Sequence, residues 1–160
     1  MKLTPLLIAL SLFAILPACK KSNSFSPSVT ATVNSLAYTS TSVTGYYYTS
    51  SGSFVIGSNM IQSKDTSILS IGFTLPFQVN VPFSSDTTLG SVDYSFNNGL
   101  LYYEAQLNER GHMILTITGW DSSGHHITGT FHGSVASAFS AADSLPVING
   151  DFNATYTESN

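Results

Sequence analysis

Charge is scarce in this chain. Lys+Arg 5 and Asp+Glu 9 make up 9% of 160 residues and leave a net −4, against roughly a quarter charged in an average soluble domain. So few cations exclude a nucleic-acid binder, which needs them to neutralise phosphates. The low total also excludes a coiled coil and a charge-driven disordered tail. Cysteine occurs once, at Cys19, so an intrachain disulfide framework and any multi-cysteine metal site are excluded. The nucleophile elbow G-x-S-x-G and the phosphate-cradling glycine loops are missing too. The chain reads as non-catalytic, and no cofactor is implied. Long hydrophobic runs are limited to Leu6–Leu16. A helix of that run, at about 1.5 Å per residue, falls well short of roughly 30 Å of hydrocarbon.

What precedes and follows that run gives it a role. Lys2 stands before it and Leu16-Pro17-Ala18-Cys19 closes it, which is the layout of a secretory signal with a small residue before the cleavage point. The ending resembles the lipobox of bacterial lipoproteins, in which the cysteine is diacylated before cleavage makes it N-terminal. This assigns 1–18 to a signal peptide and makes Cys19 an attachment point to a membrane. Several acyl chains, at about 0.8 kcal/mol per buried CH₂, hold far better than one. Lys20, Lys21 and the Ser/Asn/Pro stretch that follows have too few apolar residues to pack, so 19–28 is a lipidated tether.

Polarity in the remainder comes from hydroxyls, with 26 Ser and 17 Thr in the chain. Short runs rich in Val, Ile, Thr, Tyr and Phe, punctuated by Gly, Asn and Asp, predict strands. They fall near 29–39, 43–49, 53–61, 67–75, 79–83, 92–97, 100–107, 112–120, 126–135 and 147–156, with 136–146 a loop. No composition break divides 29–158, which is one domain. About nine antiparallel strands predict a β-sandwich, with a closed calycin- or lipocalin-like barrel as the alternative. The sharpest expectation is the hairpin His112 to Val135, turning at Ser122-Ser123-Gly124 with Gly124 left-handed. It sets Asp121 against His125, Leu115 against Phe131, Ile117 against Gly129 and Gly119 against Ile127 on the core face. Trp120 then meets His126 on the outer face, and 92–135 forms a meander.

The chain resembles a family of small lipoproteins of the Bacteroidota whose domain has no assigned function. The residues that carry the resemblance are C-K-K at 19–21, T-A-T-V-N-S at 30–35, I-T-G-T-F at 127–131 and V-I-N-G-D-F at 147–152. Ser35 departs from the pattern, since glycine is usual there. The resemblance implies an all-β, lipid-anchored domain at the outer membrane, and it brings no catalytic residues. With no acid before Asp65, it points to the periplasmic face rather than the cell surface.

The candidate chemistry is sparse. His112, His125, His126 and His132 lie close in sequence, but six residues of strand separate His126 from His132 by about 20 Å, and no metal site is expected. Asp65, Asp86, Asp121, Asp143 and Asp151 fall in turns, where Asp caps local backbone. Glu104 instead lies within a strand with Tyr102 and Gln106 on the same face, and these three with Trp120 are the candidate ligand-facing residues. Tyr46-Tyr47-Tyr48, Tyr102-Tyr103 and Trp120 suggest stacking platforms for a glycan. Asp86-Thr87-Thr88 and Asp143-Ser144-Leu145 match a short O-glycosylation pattern, at Thr87 and Ser144. The functional expectation is a lipid-anchored envelope protein that binds or scaffolds an envelope protein, glycan or lipid. The alternative is a carrier in which 67–75, 79–83, 100–107 and 112–120 enclose an apolar ligand.

Overall fold

Alternating small hydroxyl and large apolar residues dictate strands that bury one face, and the chain follows that rule almost throughout. The computed structural model describes residues 25–62, 65–87, 90–97, 99–105, 111–137, 139 and 143–160. Every regular element among them is a strand: β1 (Ser28–Val33), β2 (Leu36–Ser40), β3 (Ser42–Tyr48), β4 (Ser53–Gln62), β5 (Asp65–Thr74), β6 (Pro82–Ser84), β7 (Gly90–Phe96), β8 (Leu101–Ala105), β9 (His112–Asp121), β10 (His126–Ser137), β11 (Ser144–Thr155) and β12 (Thr157–Ser159). They form one hydrogen-bonded ladder in the order β12-β3-β4-β5-β7-β8-β10-β11-β1-β2, with β9 on the same edge of β10 as β8, along 126–134, and β6 beyond β9. All pairs are antiparallel except β12 with β3. The ladder doubles over into two layers, with Phe73 meeting Phe152 and Tyr38 meeting Tyr94 between them.

The sandwich is therefore correct and the closed barrel is not, because the two end strands, β2 and β12, do not pair with each other. At one corner the chain passes from β2 to β3 through Thr41 alone. The buried Ser40 hydroxyl makes this bend possible, donating to the Asn59 carbonyl and accepting the Ser42 N–H at 3.1 Å. The Tyr38 hydroxyl donates to the Ser58 carbonyl at 2.8 Å, and the Ser58 hydroxyl donates to that of Leu69 at 3.0 Å. At a second corner β11 runs on into β12, and β3 approaches so closely that a side chain at Gly45 would overlap the Thr155 carbonyl. The third is the short β8–β10 ladder, Glu104 opposite Ala136 and Tyr103 opposite Ser137.

Three expectations need correction. The segment 29–39 is a hairpin rather than one strand, because Asn34 and Ser35 both adopt positive φ, 47° and 66°, and turn the chain in two residues. The meander breaks after β8, which pairs with the end of β10 rather than with β9. The last long strand begins at Ser144, so the 136–146 loop is shorter than expected. Asn149, at φ 51°, bulges that strand.

The β9–β10 hairpin is right in its inner half, where Leu115 faces Phe131 and Ile117 faces Gly129. Its outer half is corrected. The turn takes four residues with His125, not Gly124, left-handed, so Asp121 pairs with His126, and a bulge between Thr128 and Gly129 absorbs the offset. Oδ1 of Asp121 accepts the N–H groups of Ser123 and Gly124 at 3.0 and 2.9 Å, which organises that longer turn.

The Asn34-Ser35 turn gives a direct test. A non-glycine residue held left-handed costs about 1–2 kcal/mol, and Ser35 is exposed with no packing to lose. Ser35→Gly is expected to stabilise the fold by about 1 kcal/mol, raising the melting temperature by a few degrees in thermal denaturation. A lower melting temperature would contradict the turn geometry.

Candidate functional site

Three places gather chemistry-bearing side chains. The first is the outer face of β7 and β8. Register sets Glu104 directly across from Asp93 and Tyr102 across from Ser95, so the two carboxyl-bearing residues are neighbours, with Cβ atoms about 5 Å apart as in any antiparallel pair. Burial pushes the Asp93 carboxyl above the usual carboxylate range, and a hydrogen bond from the Tyr102 hydroxyl works the other way. Oδ1 of Asp93 is buried with no hydrogen-bond partner among the described residues. Tyr102 and Glu104 thus share a face as expected, and Asp93 joins them unforeseen. Its signal was present in Ser91-Val-Asp-Tyr-Ser95, where alternation puts Asp93 opposite in sense to Val92 and Tyr94. Gln106 lies outside the described residues.

The second place is the end of the sandwich carrying the β9–β10 turn. Trp120 is found here and not with Tyr102, a correction caused by the bulge, which turns it away from the outer face. Its indole N–H donates to the Tyr156 hydroxyl at 3.0 Å, and its ring packs on Phe77 and Phe54 at 5.4 and 6.0 Å between centroids. Phe54 also stacks on Tyr47 at 4.4 Å and on Phe73 at 5.1 Å. These rings close this end. The chain enters the domain here as well, with Phe25 stacked on His126 at 3.8 Å and the Ser26 carbonyl accepting from the Asn153 side chain.

The opposite end is open. The β1–β2 turn and the adjoining ends of β4 and β5, of β7 and β8 and of β10 and β11 lie there, and large apolar residues are presented to solvent: Leu36, Ile61, Leu100 and Phe139 are 70%, 76%, 74% and 86% exposed. Between the layers lies a groove of about 330 Å³ whose lining includes Leu36, Ala37 and Tyr38 of β2, Met60 of β4, Asp65 of β5 and Phe96 of β7. Leu36, Tyr94 and Phe96 also line a smaller hollow of about 140 Å³ with Val33 and Leu145. Two bonds shape the rim, from the Asn34 N–H to the Pro146 carbonyl at 2.9 Å and from the Tyr103 hydroxyl to Asp143 at 2.8 Å. Sequence reasoning missed this end altogether.

The remaining candidates are scattered. Nδ1 of His112 pairs with Asp86 at 2.7 Å on the surface. No group of three His, Cys, Asp or Glu able to hold a metal occurs among the described residues. Thr87 is exposed and its hydroxyl donates to the Ser84 carbonyl at 2.7 Å, while Ser144 is exposed at the start of β11. Tyr46 and Tyr48 stack side by side on the outer face of β3, 6.4 Å apart. Cys19 lies outside the described residues. In the strands expected to enclose a ligand, Ile71, Phe73, Met113, Leu115 and Ile117 are buried. No family model, curated protein or solved structure matches the chain.

Asp93 supplies the pH test. A carboxyl whose folded pKa is raised holds more protons when folded, so its burial destabilises above that pKa and costs nothing below the unfolded value near 3.8. Stability linked to Asp93 therefore falls as pH rises from that value. Asp93→Asn is expected to be more stable than the native chain at pH 7 and to lose that advantage at pH 3 in urea denaturation. An equal difference at both pH values would show that Asp93 does not titrate with folding.

Proposed function

We propose that this is a lipid-anchored, non-catalytic protein of the cell envelope that binds another envelope component through the open end of its sandwich. The observation that carries the reading is the asymmetry of the two ends. The end where the chain enters is closed by Phe54, Phe77, Trp120 and Tyr156. The far end exposes four large apolar side chains, of which Leu36 lines the groove between the layers. Soluble proteins keep apolar patches small unless they serve contact. Anchored at Cys19 through a short tether, the domain turns its closed end to the membrane and offers the open end to a partner. Attachment at the periplasmic face of the outer membrane follows from the signal, the Cys19 lipobox and the resemblance to small Bacteroidota lipoproteins. Thr87 and Ser144 stand exposed for glycosylation, clear of the groove lining.

The carrier is the second reading, supported by the volume of the groove, which is at the lower limit for a small-molecule site. Native mass spectrometry of the full lipoprotein, released gently from its own membrane with and without organic extraction, separates the two. The expected spectrum holds acyl chains on Cys19 and a stoichiometric protein partner. A small adduct lost on extraction would favour the carrier. Cys19→Ser is expected to leave the membrane fraction entirely. Retention of that variant would remove the anchor from the reading.

A further inference from the structure

The free edge of β2 borders the groove, and its backbone is unpaired in a particular way. The two-residue turn makes Val33 and Leu36 a hydrogen-bonded pair, so Leu36, Tyr38 and Ser40 direct their N–H and C=O groups to β1. Ala37 and Thr39 must direct theirs away from it. The Thr39 N–H bears this out, since it reaches the Met60 sulfur at 3.4 Å. A thioether is a weak acceptor on a flexible side chain. Ala37 is exposed and has no hydrogen-bond partner on that side among the described residues.

We propose that an extended segment of a partner protein adds to β2 as a further antiparallel strand, exchanging hydrogen bonds with Ala37 and Thr39 and displacing the Met60 sulfur. This rests on the open end being the binding end. Strand addition draws affinity from the main chain and specificity from alternate side chains. The inward-facing residues of the added strand meet Met60, Tyr94 and Phe96, so they are aliphatic. Lipid is the wrong occupant because hydrocarbon leaves unpaired N–H and C=O groups unsatisfied. A second copy would bring a whole sheet edge against a groove of about 330 Å³ whose lining includes Met60, Asp65 and Ser67, whereas an extended segment brings one strand.

Neither described end of the chain occupies the groove: β12 is paired with β3, and Phe25 stacks on His126 at the closed end. The five residues between Cys19 and Phe25 extend at most about 22 Å from that end. The occupant is accordingly taken from another molecule.

The test is selection of random ten-residue displayed peptides on the full lipoprotein in detergent. Enriched peptides should alternate aliphatic residues. Ala37→Pro deletes one edge-facing N–H where proline is tolerated, and it should weaken their binding at least tenfold. N-methylation of alternate amides of an enriched peptide should do the same without touching the protein, which keeps the test valid if Ala37→Pro folds poorly. Peptides that bind Ala37→Pro and tolerate N-methylation, yet lose affinity for Leu36→Ser, would overturn strand addition while the open-end reading survives. Indifference to all of these changes, or no enrichment, would overturn both. Self-association abolished by Ala37→Pro in sedimentation would assign the edge to a second copy and overturn the proposal.

Discussion

Phe54 is the point on which the two layers depend. Tyr47, Phe73, Phe77, Trp120 and Tyr156 all place their rings within 6.0 Å of it, and they come from both layers and from the loop after β5. Aromatic pairs of this kind contribute about 0.5–1.5 kcal/mol each beyond burial. In a chain with so little charge, ionic contacts have small scope to fix one layer against the other. The stacked rings, the buried hydroxyls of Tyr38, Ser40 and Ser58, and the three corners do so instead. A second set of rings, Tyr38, Tyr94, Phe96 and Tyr103, stacks toward the other end, and three of these line the groove between the layers there.

The corners explain why a sandwich of this kind comes close to a barrel without becoming one. Strands β2–β3 and β11–β12 are nearly continuous in sequence but serve different layers. A strand that changes layers must break its ladder at the bend, and Ser40 and Tyr156 mark the two breaks, Tyr156 by giving its N–H to the His125 carbonyl at 3.0 Å. Closure would require β2 to find a neighbour across the groove. Met60 stands in that place.

Local patterning made most strands legible, because the alternation of Leu115, Ile117, Ile127 and Phe131 with threonine leaves one register that buries every large side chain. What failed was set by one or two residues of backbone geometry. His125 in the left-handed region lengthened a turn, the compensating bulge moved Trp120 to the closed end, and Asn34-Ser35 turned where no glycine announced it. The pairing of Tyr102 and Glu104 on one face was readable from period two. Asp93 was equally readable, but its burial was not, since that depends on what covers the outer face. The open end is invisible to any window of sequence. Leu36, Ile61, Leu100 and Phe139 are far apart in the chain, and each alone looks like an ordinary exposed residue.

The pairing of β1 with β11 joins Ser28 to Asn153, so the first strand meets a central neighbour only after nearly the whole domain has been made. Such distant pairings must meet the entropy of loop closure before any contact rewards it, and they slow folding. Until β11 arrives, β1 and β2 are an isolated hairpin of the kind that is marginal in water. A chain that completes its sheet last keeps β1 and β2 without their central neighbour through most of its synthesis. The proposed export across a membrane would need such late completion, since a closed sandwich could not be threaded.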